Sequence, residues 1–199
     1  QARHPMAIAS VDASNCYDWV NHVIMSLVWL ALLGSIGAIQ AALYTLQNMK
    51  FYQRTGYGES QTYFGGANLL LYIMGLGQGS RGAPPSWIQI SSILVNIMRN
   101  LGCGAKISDP ITRDIIHTIG ALFVDDADLY VWDEGIQTSE EVWQDMQKDA
   151  DWWAALLDAT GGALKPEKCF WYMLDYECVE GQWKYAAGED YDIYVTDLD

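Results

Sequence analysis

Two adjacent carboxylates, Asp125 and Asp126, stand in the segment Phe123-Val124-Asp125-Asp126, between the apolar run 115–124 and a second short apolar run, 129–132. Acids at the tip of a buried hairpin are costly to desolvate unless a cation neutralises them, so the pair asks for a metal. A third carboxylate, Asp12, ends the extended run 6–11, with Tyr17 five positions further on and Asp18 next to it. Three carboxylates from two separate segments can hold two divalent ions of the hard, oxygen-seeking kind. Each element alone has an ordinary alternative. An Asp-Asp pair also makes a solvated turn, Asp12 and Asp18 also serve as helix N-caps, and Tyr17 also serves as core.

The elements that must position these residues follow from pattern. Residues 6–11 read as a short strand ending at Asp12. Residues 19–33 and 36–49 read as two apolar helices broken near Gly34. Residues 51–66, rich in Tyr and Gly, predict turns and a hairpin, and 69–74 predict a buried strand. The run 75–85 is a glycine loop that ends where Pro85 or Ser86 can start a helix over 87–101, closed by Gly102. No Gly-Lys-Ser or Gly-Lys-Thr follows, so the loop is not a P-loop. The acid pair then sits on a hairpin after a Gly- and Pro-marked connection at 102–110. Thr138 and Glu141 make a capping box, and Val142, Met146, Ala150, Trp153 and Leu157 recur at helical spacing until Gly161-Gly162. Lys165-Pro166-Glu167-Lys168 leads into an aromatic strand, 169–174, with a partner strand at 182–186 across a turn at Gly181. The end, 188–199, is an acidic tail expected to be exposed.

The chain has 199 residues, half of them apolar, enough for one mixed domain with a sizeable core. Eleven Lys and Arg against 25 Asp and Glu give a net charge of −14, so most of any cationic grip on a nucleic acid must come from elsewhere. Four cysteines without close pairing and three scattered histidines argue against a zinc site and for reduced thiols in an intracellular protein. The uncharged run 23–49 is long enough to span a bilayer, but Gly34, Ser35, Gly37, Gln40, Gln47 and Asn48 interrupt it and no basic cluster flanks it. Two core helices are expected there, with no membrane span and no signal peptide.

Taken in order, these motifs resemble the palm of a reverse transcriptase, most closely that of non-LTR retroelements, over about residues 6–185. Asp12 with Tyr17-Asp18 resembles the family's first palm motif. Gln78-Gly79 with Ala83-Pro84 resembles the second, and Phe123-Val124-Asp125-Asp126 the third. Residues 162–168 are similar to the fourth, and 169–174 more loosely to the fifth. The resemblance implies an α+β palm, with an antiparallel sheet carrying a catalytic Asp-Asp hairpin and helices packed on one face. It implies a palm over 1–187, followed by the acidic tail. It also implies RNA-directed DNA polymerisation: two-metal transfer of dNTPs onto a DNA primer 3′-hydroxyl along an RNA template, with two Mg²⁺ ions or Mn²⁺ in their place. Asp12, Asp125 and Asp126 would hold the metals, and Lys168 would protonate the leaving pyrophosphate. Tyr17 would stack beneath the incoming sugar and exclude a 2′-hydroxyl, which favours deoxynucleotides over an RNA polymerase's ribonucleotides. Gln78 and Gly79 would let the backbone approach the nascent base pair and the template.

The sequence also departs from the pattern. Only eleven residues precede Asp12, so the basic fingers segment is expected to be missing, and nothing after Tyr185 is long or basic enough for a thumb. Ala83 stands where the second motif usually has Ser, and Lys165 where the fourth commonly has Asn. Polymerisation would then require supplied fingers and thumb segments or a partner chain. A catalytically inactive relic, or a palm repurposed as an interaction module, is the competing reading.

Overall fold

The computed structural model describes residues 3–14, 16–65, 74–77, 79–136, 138–186 and 192–195. The chain divides into two compact units, Gln1–Cys16 with Ser91–Asp199, and Tyr17–Ile90.

The first unit is organised by β1 (Met6–Ser14), whose residues alternate strictly along most of its length. Ala7, Ala9, Val11 and Ala13 are buried, while Met6, Ile8, Ser10 and Asp12 are half-exposed on the other face. The buried side chains are small, which lets the long helix α4 (Ser139–Ala159) lie close against the strand. That helix turns Val142, Met146, Ala150, Trp153 and Leu157 inward at the expected spacing. Its first turn is closed by the anticipated capping box: Glu141 N–H donates to Thr138 Oγ1 at 3.2 Å, and Thr138 N–H donates to Glu141 Oε2 at 3.1 Å.

Antiparallel partners flank β1. On one side lies β7 (Asp126–Val131), followed by β6 (Gly120–Phe123). On the other, β9 (Phe170–Leu174) pairs with Met6 to Ser10, and the short β8 (Ala163–Leu164) pairs with Ala13 and Ser14. Ala127, Leu129 and Val131 of β7 share the buried face, so α4 covers one side of the sheet, while residues on the other are half-exposed. Gly120 is where β6 and β7 come closest: a Cβ there would lie 1.9 Å from the Asp128 carbonyl oxygen.

Three expectations change here. The run 115–124 is not one strand: it breaks at buried Ile119 into β5 (Ile115–Thr118), which pairs with β4 (Ala105–Ser108), and β6. The tip of the acid hairpin is not buried, because Phe123 is 77% and Val124 41% exposed. The expected partner of 169–174 instead forms β11 (Gln182–Tyr185) against β10 (Tyr176–Val179), while β9 joins β1. Asp175 makes the switch. Its Oδ1 accepts from Tyr176 N–H, its carbonyl accepts from Ala186 N–H, and its Oδ2 takes the Ser139 hydroxyl at the start of α4.

The second unit contains α1 (His22–Leu33) and α2 (Ile36–Gln47), separated where Gly34 takes φ 65° as a left-handed C-cap. The hairpin β2 (Lys50–Thr55) with β3 (Gly58–Gly65) follows, as the sequence predicts. The strand expected at 69–74 falls, except for Met74, outside the described residues. Helix α3 spans Ala83–Asn100, taking Pro84 and Pro85 into its first turn. No helix among the described residues is long and apolar enough to cross a membrane. All four cysteines are free.

Candidate active site

The register of β1 and β7 sets Asp12 directly opposite Asp126. Ala13 N–H donates to the Asp125 carbonyl at 3.0 Å, which makes Asp12 and Asp126 a non-hydrogen-bonded pair, the kind whose side chains stand closest. Both point to the face away from α4. So do Asp128, two residues along β7, and its partner Ser10. Like charges directly opposed across strands destabilise a sheet unless a cation lies between them.

In this structure the cation beside Asp12 is Lys168. Its Nζ donates to Asp12 Oδ2 at 2.9 Å across 156 positions of chain. Two local features bring it there. Lys165 N–H donates to the Asp12 carbonyl at 3.0 Å, and the 3-10 turn Pro166–Lys168, closed by Lys168 N–H to Lys165 O at 2.9 Å, swings the ammonium over the strand. The hydrogen bond to Asp12 raises the Lys168 pKa above its ordinary 10.5, followed by the charge of Asp12 and then the charges of Asp125 and Asp126. One ammonium therefore feels three carboxylates from two separate segments.

A titration follows. Lys168 is protonated more firmly in the fold than in the unfolded chain, so its stabilising contribution is complete below pH 10.5 and is lost as pH rises through the raised value. Followed by NMR at Cε, its midpoint is expected above 10.5 and should return to about that value in Asp12→Asn. A wild-type midpoint at or below 10.5 would refute the pairing.

Asp12, Asp125, Asp126 and Lys168, nominated together by motif order, thus lie near one end of two paired central strands. Tyr17 and Gly79 belong to the second unit. There the Tyr17 carbonyl accepts from Leu76 N–H at 2.6 Å and the Val20 carbonyl from Gly75 N–H at 3.0 Å, so the first motif's aromatic and the start of the glycine loop are zipped together. His22 Nε2–H adds a bond to the Gly75 carbonyl. Gly79 has φ 85° and open space where a Cβ would lie. Gln78 lies outside the described residues. Sequence reasoning missed Asp128, although the alternation Asp126, Asp128, Tyr130 along one strand face was there to be read.

Among the described residues, no group of three His, Cys, Asp or Glu side chains is assembled to hold a metal ion. The donors nonetheless suit a hard divalent ion: Asp12 and Asp126 face each other, Asp125 adjoins them, and all three act on the same point charge. Lys168 would have to release Asp12 Oδ2 for such an ion to bind.

Along 93% of its length the chain superposes on a telomerase from Candida tropicalis, an apo structure truncated from its C-terminal domain, with a TM-score of 0.58 and 12% identity. Over this length the chain shares the fold of that telomerase. The chain spans 36% of that telomerase chain. No protein-family model and no curated protein sequence matches it.

Proposed function

We propose that this chain is the palm of an RNA-directed DNA polymerase, transferring dNTPs onto a primer 3′-hydroxyl. The observation that carries the reading is the setting of Asp12 opposite Asp126 on two central strands of the sheet, with Asp125 adjacent and Lys168 bonded to Asp12. In this reading Asp12 and Asp125 would hold the metals, with Asp126 beside them, and two Mg²⁺ ions or their Mn²⁺ equivalents would be the cofactors. When bound, such ions acidify the primer hydroxyl and neutralise charge on the departing pyrophosphate. Lys168 is held by Asp12 while the carboxylates are unshared. Once displaced, it carries a proton that a leaving pyrophosphate oxygen can take.

Tyr17 and Gly79, with Gln78, complete the proposal as sugar- and template-side residues, which makes the enzyme selective for deoxynucleotides. The finer assignment, a non-LTR retroelement palm over 1–187 with an acidic tail, rests on motif order. So does the expectation that flanking fingers and thumb, or a partner chain, supply most of the grip on template and primer.

Charge favours a second reading, an inactive palm serving as an interaction module. In Tyr17–Ile90 three cations, Lys50, Arg54 and Arg81, outnumber two anions, Asp18 and Glu59, for a net +1; the unit carrying the acids therefore holds −15 of the chain's −14. Such a surface repels a phosphate backbone. Primer extension on an RNA template, with Mg²⁺ and either dNTPs or NTPs, separates the readings. It should be run on the chain together with whatever its gene encodes on either side. Extension by dNTPs alone supports the proposal, extension by NTPs makes this an RNA polymerase, and no extension in any context favours the module.

A further inference from the structure

Along one flank of α4, beside the sheet, lies a segment that none of the palm motifs includes. Residues 192–195 run extended along the helix, with Asp192 and Tyr194 exposed and Ile193 and Val195 half-buried in strict alternation. Trp143 Nε1–H donates to the Asp192 carbonyl at 2.8 Å. One helical turn later, Gln147 takes both backbone groups of Tyr194: Tyr194 N–H donates to Gln147 Oε1 at 2.8 Å, and Gln147 Nε2–H donates to the Tyr194 carbonyl at 2.7 Å. The second hydrogen of that amide goes to Asp151 Oδ1 at 2.8 Å, so both amide hydrogens and the amide oxygen of Gln147 are used. The match is geometric. Two residues of extended chain advance about as far as one turn of helix, so carbonyls 192 and 194 fall opposite side chains 143 and 147.

The side chains between those bonds border a half-open pocket of about 190 Å³, lined by Val11, Ala150, Pro166, Cys169, Ile193 and Val195 among others. Val11 immediately precedes Asp12. Pro166 opens the turn that ends at Lys168, and Cys169 follows it, with its N–H bonded to the Pro166 carbonyl at 3.1 Å. The tail thus forms one wall of the space over which the Lys168 turn is built.

We propose that 192–195 is a strap, docked on α4 through its backbone by Trp143 and Gln147, and that its docking seats the turn presenting Lys168 to Asp12. Trp143 and Gln147 are then positioning residues that act on the site through the strap. Only the bearing of this on catalysis rests on the polymerase reading; the strap itself does not.

The test is amide hydrogen exchange together with the nuclear Overhauser contact between the Lys168 Hε and Asp12 Hβ protons, both on the full chain. In Gln147→Ala, exchange at Tyr194 should rise roughly tenfold to a hundredfold, the loss of one or two hydrogen bonds, and exchange at Lys168 and Cys169 should rise with it. The Lys168–Asp12 contact should weaken, a change that general loosening of the tail would not produce. Gln144→Ala, one turn away and bonded along the helix to Glu140, should change none of these. Tyr194→Pro, which removes the tail's donor and leaves α4 intact, should reproduce the faster exchange at Lys168 and Cys169 and the weaker Lys168–Asp12 contact. A Tyr194 amide that already exchanges at the rate of a free peptide in the wild type overturns the proposal. So does a tail released by either variant while the Lys168 and Cys169 amides and the Lys168–Asp12 contact stay as they were.

Discussion

Asp125→Asn is expected to abolish primer extension while leaving the fold intact. The substitution keeps the size of the side chain and the main-chain bond from Ala13 N–H to the Asp125 carbonyl, so the hairpin retains its anchor on β1. What it removes is one of the three negative charges whose field raises the Lys168 pKa. A metal-assisted transfer that draws several kcal/mol from charge neutralisation should lose about 4 kcal/mol or more, roughly a thousandfold in rate. Relief of repulsion with Asp12 and Asp126 should leave the melting temperature unchanged or slightly higher. Activity and stability therefore move apart, which a merely structural Asp125 would not permit. Extension that survives the change would remove this carboxylate from the chemistry.

Gly120→Ala is expected to act in the opposite sense, on the fold first. The added methyl would sit 1.9 Å from the Asp128 carbonyl oxygen and 3.1 Å from the Leu129 Cα, both main-chain atoms that no rotamer change can move. β6 must therefore draw away from β7, carrying with it Phe123, the partner of Asp126. Overpacking of this kind costs about 1–3 kcal/mol, roughly 2–12 °C in melting temperature for a chain of this size. Gly37→Ala is the matched control. Gly37 lies in α2 with nothing within 4 Å of its virtual Cβ, so the same methyl should be neutral or stabilising there. A Gly120→Ala protein that melts with the wild type would show that the strand approach is not as described.

Much of this was legible in sequence, for identifiable reasons. The α4 stripe and its capping box are local signals, fixed by helical spacing and by two side chains three residues apart, and they appear where expected. The break at Gly34 is equally local, since a left-handed cap suits glycine. Strand partners are a different matter. Residues 115–124 look like one apolar run, yet the chain leaves β5 for β6 at Ile119, beside which Gly104 approaches the Thr118 carbonyl too closely for any side chain. Likewise, nothing in 169–186 considered alone reveals that Asp175 ends one strand and starts a separate hairpin, because its hydroxyl partner, Ser139, lies 36 positions away.

The candidate site divides the same way. Motif order nominated Asp12, Asp125, Asp126 and Lys168, but local pattern could not show that Lys168 reaches Asp12. That contact depends on Lys165 N–H bonding the Asp12 carbonyl, an interaction every residue type can make. The strap went unnoticed for a related reason. Backbone recognition by Gln147 leaves no trace in the side chains of 192–195, which read as part of an acidic tail.

The most direct test of the metal-site claim is a Mn²⁺ titration of the ¹⁵N-labelled chain, watching paramagnetic broadening of amide signals. Mn²⁺ suits the same hard oxygen donors as Mg²⁺ and reports its own position. The account predicts that, below one equivalent, signals from Asp12, Ala13, Asp125 and Asp126 broaden first, and that Asp126→Asn or Asp12→Asn removes this selectivity. Broadening spread over the acidic surface, or centred elsewhere, with these four signals left sharp, would contradict it.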